Sequence, residues 1–109
     1  VNIYTFDDRV ETPEGISVII KQPDHPILHS VAGVWPALLG YQETKIKPTA
    51  VSIVETDTGD PLIAVNHYGK GRAMVWTTDV GPHWCPTSFA EWEGYGKLWR
   101  NAVHWLAGK

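Results

Sequence analysis

Two near-continuous apolar runs, residues 62–68 and 73–78, lie either side of the short turn Gly69-Lys-Gly71. A strand with one wet face alternates apolar and polar residues, so unbroken runs predict strands covered on both faces. Glycine supplies the positive φ that a tight link requires, and the two runs are therefore expected to pair as an antiparallel hairpin. A polar and aromatic loop follows, containing Asp79, His83, Trp84 and Cys85. Beyond it, Tyr95, Leu98, Trp99, Ala102, Val103 and Leu106 recur at i, i+3, i+4, i+7 spacing, which predicts an amphipathic helix closing the chain. Gly108 stands where a C-terminal cap belongs, with Arg100 and His104 toward the negative end of the helix dipole. Strand, strand, site-like loop and packing helix is an α/β order, and such folds place their chemistry in loops just past a buried strand.

The earlier part of the chain is less regular. Residues 1–5 have the period-two pattern of a short strand, and residues 16–20, Ile-Ser-Val-Ile-Ile, predict another. Residues 6–14 are charged and include Pro13, so they read as a loop. Pro23 and Pro26 break the second strand, because proline cannot serve in a central ladder. Asp24 is expected to cap a short helical turn with Pro26 near its first position, carrying Ile27 and Leu28 inward. Residues 34–40 read as an irregular packed segment, residues 41–47 as a half-exposed strand, and residues 51–55 as a further strand ended by Asp57-Thr-Gly-Asp60. No internal repeat or low-complexity segment occurs.

At 109 residues the chain is one domain or part of one, able to bury roughly two-thirds of its unfolded surface. The net charge of −3 offers no dense positive surface for a phosphate backbone, so no nucleic-acid partner is expected. No apolar run approaches the roughly 20 residues that span a bilayer, so no membrane partner is expected either. A single cysteine excludes an internal disulfide and fits a reducing, cytoplasmic setting, and no secretory leader is seen. The chain starts at Val1 rather than Met, as a processed protein or a piece of a longer polypeptide would.

These elements leave one structural difficulty. Five or six strands with one long helix leave the sheet short of cover, because one helix shields one face. Large bare apolar faces are avoided in native proteins. The missing layer is either a partner subunit, such as a second copy, or an N-terminal half outside this chain, and the second is the expectation.

Several short motifs occur in a characteristic order: Asp60-Pro-Leu-Ile-Ala-Val65, Tyr68-Gly-Lys-Gly-Arg72, Trp76-Thr-Thr-Asp79, Pro82-His-Trp84, Gly94-Tyr-Gly96 and Trp105-Leu-Ala-Gly108. Asp24-His-Pro-Ile27 and Leu38-Leu-Gly-Tyr41 precede them. Together they resemble the C-terminal half of the glutamine amidotransferase-like family, related to the trehalose-utilisation-type class I amidotransferase-like proteins. The resemblance covers most of the chain from about residue 23 onward. It implies a flavodoxin-like α/β domain, with a mixed sheet, an antiparallel extension, a strand ending in a histidine loop, and a closing helix. The family's first half supplies the parallel strands and the nucleophile elbow. Class I amidotransferases pair a cysteine on that elbow with a histidine and, two residues on, a glutamate. His83 falls where the histidine would sit, but Cys85 stands two residues on and no Gly-x-Cys-x-Gly elbow occurs. Glutaminase chemistry is therefore not expected of this chain alone.

Each candidate residue has a structural reading beside the functional one. His83 and Cys85 can form a nucleophilic pair if the imidazole lowers the thiol pKa, or Cys85 is simply a packed cysteine. Asp79 either orients His83 or closes its own Gly-Pro turn. Trp84, Trp92 and Tyr95 either stack on a sugar or an apolar partner, or lie as a lid on the core. The remaining tryptophans of the six, Trp35, Trp76, Trp99 and Trp105, read as core. His25/His29 and His83/Cys85 have ligand-like spacing but no second pair, so no metal and no cofactor are expected. His67 reads as a hydrogen-bonded core histidine. Two functions stand: an amidotransferase-like domain without glutaminase activity in this form, or a noncatalytic ligand-binding or oligomerising module.

Overall fold

A computed structural model describes residues 9–31, 34–80 and 84–108. The strand expected at residues 1–5 lies outside them. Consecutive strands β1 (Arg9–Ile16) and β2 (Val18–Ile20) belong to different sheets. β1 pairs antiparallel with β3 (Leu38–Gln42), Val10 opposite Tyr41 and Ile16 opposite Leu38, with the register broken between Glu11 and Ile16. Gly15 sits in that break at φ +98°, a conformation a side chain would strain. Past Ser17 the chain enters a four-stranded antiparallel sheet, where β2 pairs with β4 (Val51–Thr56), then come β5 (Pro61–Tyr68) and β6 (Gly71–Trp76). A 3-10 turn (Pro26–Leu28) and the helices α1 (Thr87–Ala90) and α2 (Glu93–Leu106) complete the described residues. Strands and helices are mixed and both sheets are antiparallel, an arrangement compatible with an α/β fold.

The hairpin, the strand at residues 51–55 and the closing helix fall where the pattern places them. Gly69 takes φ +57° in the two-residue link between β5 and β6. Other expectations are corrected. Residues 9–14 are strand, not loop. Arg9, Glu11 and Pro13 face solvent on a two-stranded ribbon, and Pro13 lies in the register break, where its missing N–H costs no ladder bond. The strand expected at 41–47 is instead Leu38–Gln42, because pairing with β1 decides its position. Residues 43–47 are all exposed, so their alternation had no face to bury. The cap of the 3-10 turn is His25 rather than Asp24: the Ile27 N–H donates to His25 Nδ1 at 3.1 Å, with Pro26 following as expected. His67 is exposed, since β5 outruns its cover at His67 and Tyr68, and its ring meets the edge of Trp105.

Cross-strand partners share a face of a sheet, so the register sorts the side chains. Ile63, Val65 and His67 lie with Trp76, Met74 and Arg72 on the face toward α2. There Trp76 meets Trp99 at 5.5 Å and Arg72 lies 5.0 Å over the Trp105 ring. The opposite face carries Ala64 beside Val75 and Asn66 beside Ala73. Along β6 burial alternates, and Val75 is 52% exposed. Within the described residues α2 covers one face of β6, as expected of a single long helix, and the other face is left without a layer from this chain. In β5, by contrast, the adjacent Leu62 and Ile63 are fully buried.

The core gathers Ile27, Leu38, Ile53, Val54, Leu62, Ile63, Phe89 and Leu98, all essentially without exposure. α2 buries Leu98, Ala102 and Trp105, leaving Val103 and Leu106 outward. Its stripe is thus turned toward Trp105 relative to the one expected. Gly108 closes the helix through its N–H to the Trp105 carbonyl at 3.0 Å, which also accepts from Arg72 Nη1 at 2.8 Å.

Two measurements test this packing. Burial, with the Arg72 charge adding to it, holds the His25 imidazole below its ordinary value, and its Nδ1 accepts a hydrogen bond only when unprotonated. The stability contributed by His25 is then present above pH of about 6.5 and falls as acid protonates the unfolded chain first. A urea-midpoint series from pH of about 7.5 to about 5 should decline, and His25→Ala should lose about 1 kcal/mol at the upper end and flatten that decline. At the start of α2, a Cβ on Gly94 would lie 2.2 Å from the Trp92 ring, whereas one on Gly96 meets nothing within 4 Å. Gly96→Ala should stabilise by about 0.5–1 kcal/mol, while Gly94→Ala should destabilise by about 1–3 kcal/mol in the same unfolding assay.

Candidate functional site

The loop after β6 is held from both sides. Thr77 is buried; its N–H donates to the Leu62 carbonyl at 3.1 Å and its hydroxyl to the Pro61 carbonyl at 3.0 Å. Its own carbonyl accepts the Gln42 N–H at 2.7 Å. The Thr78 hydroxyl donates to the Gly40 carbonyl at 2.7 Å. The end of β6 is thereby joined to β5 on one side and β3 on the other.

Asp79 closes the loop it begins. Its Oδ2 accepts the Trp84 N–H at 3.2 Å, and its backbone carbonyl accepts from Trp76 Nε1 at 3.0 Å. The Gly81-Pro82 turn that this carboxylate was expected to close lies outside the described residues. His83, the histidine of the expected site, lies outside the described residues. Trp84 is buried against Gly40, where an added Cβ would come within 2.6 Å of the indole. Trp84 Nε1 donates to Glu11 Oε2 at 3.0 Å, and its carbonyl accepts the Leu39 N–H at 2.8 Å.

Cys85 is fully buried. Burial pushes its thiol pKa up, a hydrogen bond with Tyr95 pulls it partly back, and the Asp79 charge pushes it further up. A nucleophilic cysteine needs the opposite balance. Tyr95 donates its hydroxyl to the Val80 carbonyl at 2.6 Å, pinning the loop to α2, and burial raises its phenol pKa as well. Trp92 precedes α2 and packs 5.1 Å from Trp35 and 5.4 Å from Phe89. Edge contacts continue from Phe89 to Tyr95 and from Tyr95 to Trp99. The structure brings Asp79, Trp84, Cys85 and Tyr95 into one neighbourhood, with Trp92 in the adjoining aromatic cluster.

Among the described residues no group of three or more His, Cys, Asp or Glu side chains is placed to hold a metal ion. No helix among them is long and apolar enough to cross a membrane. One polar cluster escaped the sequence reading. Tyr41 donates its hydroxyl to Asp60 Oδ2 beside Thr58, and Thr56 receives the Asp60 N–H at 3.2 Å. The signal was the Thr56-Asp-Thr-Gly-Asp60 turn, whose polar side chains anchor it to β3.

Two solved structures are similar to the chain. The cytoplasmic protein STM1381 from Salmonella typhimurium LT2 matches with a TM-score of 0.85 at 35% identity, over 92% of this chain and 40% of its own. The cytoplasmic protein STM3548 from Salmonella typhimurium matches with a TM-score of 0.85 at 32% identity, over the same shares of each chain. The chain thus spans about 40% of the length of these solved relatives. No curated protein matches it. Residues 1–108 match the family described as "Putative glutamine amidotransferase", and the chain belongs to that family.

Proposed function

We propose that this chain is the C-terminal part of a flavodoxin-like, amidotransferase-like domain working in the cytoplasm, and that its histidine loop performs no glutaminase chemistry. Residues outside the 109 would supply the preceding strands, and a second copy of the chain is the alternative partner. Any surviving site lies where those residues meet Asp79, His83 and Cys85 on the loop after β6.

The observation that carries this reading is the setting of Cys85. It occupies the place where the resemblance requires a glutamate, and burial keeps it a neutral thiol. The lengths of the two relatives support the part-domain reading, and their description as cytoplasmic proteins supports the compartment. The stacking alternative finds less support. The Trp84 ring is buried, Tyr95 donates to the Val80 carbonyl, and Trp92 packs on Trp35 and Phe89.

The complete polypeptide, incubated with glutamine, should release ammonia no faster than a protein-free control. Turnover above that control, lost in His83→Ala or Cys85→Ala, would overturn the proposal. The thiol gives an independent reading. Native Cys85 should react with a disulfide reagent at least about tenfold more slowly than the urea-unfolded chain, because reaction requires opening. With the folded thiol held above its unfolded value, stability is intact below pH of about 8.5 and declines as pH rises past it. Cys85→Ala should show a shallower alkaline decline between pH of about 8.5 and 10, before the tyrosines ionise.

A further inference from the structure

The sheet face opposite α2 carries a trough of about 290 Å³. Its floor is Ala64, Ala73 and Val75 and one wall is Ile46, with Lys45 and Lys47 along the rim. Val75 is 52% and Ile46 40% exposed, so this is apolar surface left in water. We propose that the trough seats an amphipathic helix from the part of the longer polypeptide outside these 109 residues, with carboxylates beside its apolar stripe. This rests on the part-domain reading above and names the surface where the two parts meet.

Three observations choose that occupant. The floor is made of small side chains, so an incoming element must bring the large ones, and helices are a usual cover for an open sheet face. Among the described residues neither Lys45 nor Lys47 has an ion-pair partner, which leaves the rim complementary to Asp or Glu. The solved relatives are about two and a half times as long as the part of them this chain spans, which is ample sequence for a covering layer. A second copy fits worse. A two-fold contact puts the same patch on both sides of the seam, setting four lysines against one another.

The test uses the complete polypeptide with a single added cysteine, Ala73→Cys in the trough or Tyr68→Cys at the hairpin tip, where Tyr68 is 87% exposed. Maleimide labelling at position 73 should be at least about tenfold slower than at 68, independent of protein concentration. Adding Lys45→Glu with Lys47→Glu, both exposed and remote from the core, should raise the rate at position 73 while leaving that at 68 unchanged. Equal labelling at the two positions would overturn the proposal, as would protection that disappears on dilution, which identifies a second copy. Intact mass separates the two failures. A source polypeptide of this length alone defeats the part-domain reading, and a longer one with an open trough defeats only the helix.

Discussion

The placement of the candidate site depends on one clamp at the end of β6. Thr77 joins β5 through its N–H and hydroxyl and joins β3 through its carbonyl, while the Thr78 hydroxyl closes on Gly40. Each bond contributes about 1 kcal/mol net, and the larger effect is that losing one strands a buried polar group at a cost of about 1–3 kcal/mol. Two sheets that share no strand are tied at this point. Once β3 is fixed there, Gly40 leaves room for Trp84, whose indole N–H then reaches Glu11 on β1. The clamp therefore sets the loop, the small ribbon and the indole together.

The aromatic residues explain why that loop is packed rather than open. Trp35, Phe89, Trp92, Tyr95, Trp99 and Trp76 meet mostly edge to face at 5.1–6.3 Å between centroids. Such pairs contribute about 0.5–1.5 kcal/mol each beyond their buried area. Phe89 sits at the centre of the network on the short helix α1, fully buried. Rings engaged in this way hold α1 and α2 against β6, and they account for a tryptophan content that composition alone leaves open between core and ligand platform.

What was legible in the sequence followed from local rules. The β5–β6 hairpin came from two apolar runs about a glycine turn, and α2 from its helical stripe. The misplaced elements were those set by distant partners. β1 looks like a loop because its charges face water on a two-stranded ribbon, and only pairing with β3 makes it a strand. Asp24 is the better cap by residue type, yet burial beside Trp105 places His25 Nδ1 against the Ile27 N–H. The apolar run at residues 73–76 implied two covers, and within this chain β6 has one. In the candidate site, the loop carrying Asp79, Trp84 and Cys85 was legible as a polar and aromatic stretch after β6, whereas Tyr95 was read only as part of a stacking set with Trp84 and Trp92. The threonine clamp and the Tyr41–Asp60 anchor were not legible, because each joins residues far apart in the chain.

Position 85 carries the remaining argument. A glutamate there would bring a carboxylate into a fully buried pocket beside Asp79, with α1, α2 and their rings packed around it. Desolvation and like charge would both raise its pKa, so the ion would be disfavoured unless a histidine or other cation lay against it. A neutral thiol meets neither penalty and fills the space as a small apolar group. A cysteine at position 85 is thus consistent with the packing on its own terms. Asp79, Trp84 and Tyr95 bond to the Trp84 N–H, Glu11 and the Val80 carbonyl, and Tyr95 also hydrogen-bonds the Cys85 thiol, so residue 85 is held by size, neutrality and that one polar contact.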